Sequence, residues 1–159
     1  MIDEFLIAKL GDVTVIPINL RKTLYHGGAI ESPEACANGL WLTSELATAK
    51  RYANWKGTRS PKTYVYEVML NTETLNMFVL PIYHYDFFRE IGVPDDTRGY
   101  HQWLKLNLSE FCIRNYPHVH GFISESRDGV VSMSTNEIFV FRPSDVLGGS
   151  TVLESVPGN

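Results

Sequence analysis

Residues 39–53 read Gly-Leu-Trp-Leu-Thr-Ser-Glu-Leu-Ala-Thr-Ala-Lys-Arg-Tyr-Ala, and this stretch decides the fold class. Residues 40–43 are mostly apolar and predict a strand. Ser44 suits an N-cap, and Glu45 in the first turn complements the partial positive charge of a helix start. The helix then runs to about residue 55. A strand that feeds straight into a helix puts Trp41 and Tyr52, eleven residues apart, within reach of each other. Two core aromatics is the plain reading. Two rings that sandwich a flat ligand is the functional one.

Working outward, residues 22–26 form a short strand that ends in Gly27-Gly28. Residues 5–10 and 13–18 flank Gly11-Asp12 and read as a hairpin. Residues 31–38 are a loop. Residues 63–70 and 74–80 carry the β-branched and aromatic enrichment of strands. Residues 85–91 predict a short helix and 92–98 a polar loop. Over 100–115, Trp103, Leu104, Leu108, Phe111 and Cys112 recur at helical spacing. Strands follow at 121–124, 130–133 and 137–141, with a turn at Arg127-Asp128-Gly129. Strands outnumber helices and do not alternate with them. The prediction is an α+β fold with mainly antiparallel sheets, in one domain over 1–159.

At 159 residues the chain is long enough to bury a core without staples. Its 44% hydrophobic and 20% charged residues exclude a disordered chain. No apolar run reaches the roughly 18 residues a membrane helix needs. The acidic start, Met1-Ile2-Asp3-Glu4, is unlike a signal peptide. Two cysteines are too few for a disulfide framework, so a cytoplasmic location with free thiols is expected. The net charge of −4 argues against a nonspecific nucleic-acid coat. That charge is uneven. Residues 1–62 hold 8 basic and 6 acidic residues; the remainder hold 6 basic and 12 acidic. Lys50, Arg51, Lys56, Arg59 and Lys62 concentrate the positive side, either as a solvated helix end or as an attractor of phosphate.

Two further segments bear on chemistry. In Leu24-Tyr25-His26-Gly27-Gly28 an imidazole stands beside a backbone that a ligand can approach closely. A planar amide could pair with that backbone. In Asn136-Glu137-Ile138-Phe139-Val140-Phe141 a carboxylate opens an apolar strand. There it is either solvated or the one acid at the mouth of a cleft.

The order of these segments resembles the ADP-ribosyltransferase superfamily. The nearer branch is the His-Tyr-Glu type, which includes diphtheria toxin and the poly(ADP-ribose) polymerases. The resemblance covers roughly residues 23–55 and 119–146, and it is similar to small stand-alone bacterial and phage members. It implies two twisted, mainly antiparallel sheets with NAD in the cleft between them. His26 would bind a ribose hydroxyl. The Gly27 backbone would pair with the nicotinamide carboxamide. Trp41 and Tyr52 would stack on the nicotinamide ring. Glu137 would accept a hydrogen bond from the nicotinamide ribose and act in catalysis with His26. The implied activity is transfer of ADP-ribose from NAD to a macromolecular acceptor. A host protein comes ahead of a nucleic acid, as for a toxin or phage effector, and no membrane partner is expected.

The sequence departs from that pattern in three places. Trp41 stands where the family has its first tyrosine. Ala49 stands where the polymerases carry a serine for the carboxamide; Thr43, Ser44 or Thr48 would have to supply the hydroxyl. Thr135, two before Glu137, is neither the Gln nor the Glu usual in arginine-modifying relatives. Two alternatives therefore stay open: an enzyme that depletes NAD by hydrolysis or phosphorolysis, and a binding or inhibitory module without catalysis. A zinc site built on His118 and His120 has no supporting motif.

Overall fold

The computed structural model describes residues 2–19, 23–54, 62–123 and 137–157. Strand β1 is Thr14–Asn19, β2 Leu24–Gly28, β3 Leu40–Thr43, β4 Lys62–Leu70, β5 Thr74–Val79, β6 Gly121–Ile123, β7 Glu137–Val140 and β8 Leu147–Pro157. They join in one sheet in the order β1-β5-β6-β7-β3-β2-β4-β8. Only β5 and β6 run parallel; the other neighbours are antiparallel. The helices are α1 Ile2–Leu10, α2 Leu46–Asn54, α3 His84–Arg89, α4 Thr97–Trp103, α5 Ser109–Asn115 and α6 Pro143–Val146. A π-helical turn, Leu104–Leu108, links α4 to α5. The chain is thus α+β, built on a large mixed sheet.

Side chains alternate across a strand, so register sorts them onto two faces. Trp41 lies opposite Phe139, and Phe139 opposite Phe122, so all three share a face. They pack into a cluster with Leu6, Leu10, Phe88, Leu104 and Phe111 from the helices. Leu40, Leu42, Ile138, Val140 and Ile123 fall on the other face, with Leu24, Tyr66 and Met77. A small third cluster, Ala49, Ala53 and Val65, seats α2 against β2 and β4 with Tyr25 and Leu46 at its edge.

One joint in this sheet matters for the site. β2 pairs with β4 over five residues but with β3 only through Tyr25 and Thr43. The sheet is therefore two ladders, β1-β5-β6-β7-β3 and β2-β4-β8, that meet in a single residue pair. Two separate sheets were expected from the resemblance; one continuous sheet with a nearly open seam is what forms.

Two further expectations need correction, and one strand was not expected at all. Residues 5–10 are not a hairpin arm but part of α1. Leu6 and Leu10, four apart, are both buried, Asp3 and Glu4 sit in the first turn, and Lys9 sits in the last. Exposed Ile2, Phe5 and Ile7 blur the apolar stripe and hide the helical period. The Gly11 amide donates to the Ile7 carbonyl at 2.9 Å and closes the helix, while β1 pairs with β5 instead. Second, α2 opens at Leu46, with the Glu45 carbonyl accepting the Thr48 and Ala49 amides. Third, β8 was not anticipated. Register irregularities against β4 between Val65 and Tyr66 and between Met69 and Leu70 interrupt its alternation, and Val152 and Leu153 are exposed along it. The expected strand at 130–133, the Arg127-Asp128-Gly129 turn, Thr135, Trp55, Lys56 and Arg59 lie outside the described residues.

Both cysteines are free, Cys112 buried and Cys36 half-buried. Among the described residues no helix is long and apolar enough to cross a membrane. Nor do three of His, Cys, Asp and Glu converge as a metal site there. His120 Nδ1 accepts the Asn76 amide at 2.9 Å.

Candidate functional site

The seam between β2 and β3 collects the residues singled out in the sequence. Beyond Tyr25, the edge of β2 that faces β3 has no ladder partner among the described residues, and His26 bridges the gap with its side chain. His26 Nδ1 lies 2.8 Å from the Trp41 carbonyl. A carbonyl only accepts, so Nδ1 carries the proton and Nε2 keeps a lone pair. Burial lowers the His26 pKa from 6.5 to about 4, opposed by the Trp41 hydrogen bond and helped by the nearby Lys105 charge. At neutral pH the ring is therefore uncharged, with one nitrogen able to accept from a hydroxyl.

Gly27 has a packing reason to be glycine. Any Cβ there would run into the backbone carbonyl of Ala49 on α2. This contact lets α2 lie close to β2, and it carries the next residue of interest, Tyr52, toward the sheet.

Glu137 opens β7 directly opposite Thr43, which in turn lies opposite Tyr25. The three share the face on which α2 sits. Tyr52 Oη donates to Glu137 Oε1 at 2.7 Å, joining residues 85 apart in sequence. A phenol bonded to a carboxylate is a charge-assisted hydrogen bond, about twice as strong as a neutral one. Burial of Glu137 raises its pKa, while the Tyr52 hydrogen bond and the Arg51 charge pull it back and the Glu45 charge raises it. The Tyr52 phenol is pushed well above its ordinary value, first by burial and then by the Glu137 charge.

The remaining polar groups of the β3–α2 turn are engaged locally. The buried Thr43 hydroxyl accepts the Glu45 amide at 3.1 Å. Thr48 Oγ1 donates to Glu45 Oε2 at 3.1 Å and accepts from Arg51 Nη2 at 3.3 Å. From the basic stretch at 50–62, the Arg51 charge reaches Glu137.

Trp41 is half-buried and held on several sides. Its ring lies 4.9 Å from His84, 5.1 Å from Phe139 and 5.4 Å from Phe122. Its Nε1–H donates to His101 Nδ1 at 3.1 Å, which fixes the indole plane and leaves the His101 proton on Nε2. Burial lowers the His101 pKa to about 4, with Lys105 adding to the effect. Beyond Trp41 stands a group of rings: Tyr83, His84, Tyr85 and Tyr100. Tyr85 stacks on Tyr100 at 4.0 Å, and His84 Nδ1 lies 2.6 Å from the Tyr100 hydroxyl. The Tyr83 and Tyr85 phenols reach Tyr52 electrostatically.

The structure thus brings His26, Trp41, Thr43, Tyr52 and Glu137 to one seam and its immediate flank. Gly27 is there too, in contact with α2. Sequence reading did not assign His101 or Lys105 to the site, and it placed Arg51 only in the basic stretch at 50–62, as an attractor of phosphate. Tyr83, His84 and Tyr85 are consecutive in the sequence, but nothing local ties that run to Tyr52. Chemically the arrangement offers a carboxylate beside an aromatic wall and a neutral imidazole acceptor. Such a set can bind a flat ring, hold a hydroxyl and stabilise a positive charge that develops nearby.

No family model matches the chain, and no curated protein matches it. One solved structure is similar: the crystal structure of the M. tuberculosis MbcT–MbcA toxin–antitoxin complex, at 14% identity and a TM-score of 0.49, with 99% of this chain and 93% of that chain covered.

Proposed function

We propose that this chain cleaves the nicotinamide–ribose bond of NAD and transfers the ADP-ribose to a macromolecular acceptor. The observation that carries the reading is the Tyr52–Glu137 hydrogen bond of 2.7 Å at the β2–β3 seam. It joins the two residues that the resemblance pairs, one for the ring and one for the ribose. His26, whose Nε2 has no hydrogen-bond partner among the described residues, suits a ribose hydroxyl. Trp41, with its plane fixed by His101, suits the nicotinamide ring.

In this reading the bond between the nicotinamide nitrogen and ribose C1′ breaks, and its electron pair leaves with nicotinamide. The sugar passes through an oxocarbenium-like state. The Glu137 carboxylate stabilises that charge, and the hydrogen bond from Tyr52 keeps it ionised against the effect of burial. An acceptor nucleophile then bonds to C1′ and gives up its proton.

NAD carrying label in its ADP-ribose half, incubated with the chain and cell extract, tests this directly. Label in protein supports transfer to a protein. Label in free ADP-ribose alone replaces transfer with hydrolysis. Glu137→Gln should slow nicotinamide release a hundredfold or more, the usual loss when one such contact of about 3 kcal/mol is removed. Release at the wild-type rate would rule out the role given to Glu137.

A further inference from the structure

A second cavity, of about 110 Å³, opens where the chain enters β6 and leaves β7. It lies at the far end of β7 from Glu137; from Glu137 to Phe141 the strand runs roughly 13 Å. Its floor is apolar. Val119, Phe141 and Val146 are buried there, with Ile113 of α5 half-buried beside them. Its polar lining among the described residues is His120, Arg142 and Asp145.

The backbone of Asn76 on β5 fixes His120 from both sides. The His120 amide donates to the Asn76 carbonyl at 2.8 Å, and His120 Nδ1 accepts the Asn76 amide at 2.9 Å. The Asn76 side chain adds a bond to the His118 carbonyl at 3.1 Å. On the other side, the His120 carbonyl accepts the Phe141 amide at 2.8 Å and ties the ring to the end of β7. Since Nδ1 accepts, the proton is on Nε2, which stands in the cavity wall as a donor. Burial holds the His120 pKa below its ordinary value, against the Asp145 charge.

Arg142 Nη1 and Asp145 Oδ2 are 3.9 Å apart, beyond hydrogen-bond distance, and both residues are exposed. They form an open ion pair at the mouth of an apolar cavity. A lone anion there meets the Asp145 charge, and a lone cation meets the Arg142 charge. A small ligand that carries both charges satisfies both residues. Volume limits its apolar part. A cavity of about 150 Å³ holds benzene, so the smaller one here suits an aliphatic group of about four carbons.

We propose that this cavity binds a free branched-chain amino acid, with the aliphatic side chain on the Val119–Phe141–Val146 floor, the carboxylate on Arg142 and the His120 Nε2–H, and the ammonium on Asp145. The site does not rest on the NAD reading.

Calorimetry on the full chain tests this with L-leucine, L-leucinamide, N-acetyl-L-leucine and L-phenylalanine as probes. Leucine should bind. Leucinamide lacks the carboxylate, N-acetyl-leucine lacks the ammonium, and each should bind at least about tenfold more weakly, the usual loss of a hydrogen bond to a charged group. Phenylalanine should also bind more weakly, because its ring exceeds the cavity. Arg142→Gln should weaken leucine but not leucinamide, and Asp145→Asn should weaken leucine but not N-acetyl-leucine, a selectivity that a misfolded variant would not show. In wild type, leucine should shift the NMR signals of the His120 ring and leave the Glu137 carboxyl unmoved. The proposal is overturned if leucine does not bind at millimolar concentration, if phenylalanine binds as tightly, or if leucine shifts Glu137 rather than His120. N-acetyl-leucine binding as tightly as leucine also overturns it, in favour of the apolar C-terminus of a peptide.

Discussion

Replacing Tyr52 with Phe removes one oxygen and should make Glu137 bind its proton more tightly. Burial already raises the Glu137 pKa, and the Tyr52 hydroxyl at 2.7 Å opposes that shift. A hydrogen bond to a charged group is worth about 1.5–3 kcal/mol. Tyr52 is 41% exposed, so water replaces part of what the phenol supplies. A net loss of about 1 kcal/mol remains, equivalent to roughly fivefold tighter proton binding. Carbon-detected NMR titration of the Glu137 carboxyl, in wild type and Tyr52→Phe, reads this without any substrate. The sign carries over to stability. A carboxyl whose folded pKa is raised above its unfolded value favours folding at low pH, and that contribution is lost as pH rises through the folded pKa. Tyr52→Phe should deepen the loss at neutral pH. Glu137→Gln should remove it and make the protein more stable than wild type at pH 7, an advantage that fades below pH 4.5, the ordinary value. Unchanged or weaker proton binding in Tyr52→Phe would refute the account of how the carboxylate is kept ionised.

Other substitutions probe the scaffold around this pair. Gly27→Ala pushes a methyl into the Ala49 carbonyl, a backbone group that yields only if α2 shifts. A thermal melt should report a loss of about 1–3 kcal/mol, the range for overpacking. Ser109→Ala removes a buried hydroxyl that has no hydrogen-bond partner among the described residues. Denaturant unfolding should find it neutral or up to about 1 kcal/mol more stable. His26 has a folded pKa of about 4 against 6.5 unfolded, so the unfolded state binds the proton first. Stability should fall as pH drops from 6.5 toward 4, by at most about 3 kcal/mol, and His26→Asn should flatten that slope.

Residues 39–53 made the strand-to-helix passage legible because its signals are local: an apolar strand, a polar turn, then helix-forming residues. The strands at β4 and β5 and the helical run through Trp103, Leu108 and Phe111 were readable for the same reason. Helix α1 was not, because its exposed apolar side chains hide the period that Leu6 and Leu10 obey. β8 was not, because pairing with β4 is a long-range property and irregularities break its alternation.

Sequence by itself determined which chemistry-bearing residues are present and which short elements carry them: His26 at a strand end, Tyr52 on a helix, Glu137 opening an apolar strand. Tertiary structure decided their relations. Only strand order puts β7 beside β3, so that Glu137 faces Thr43, and only the packing of Ala49 on Gly27 brings Tyr52 to it. Only the single pairing of Tyr25 with Thr43 leaves a seam at which His26 reaches Trp41. The physical reason is range. Propensity and capping act within a few residues, whereas register, ladder termination and helix docking join residues 15 to 85 positions apart.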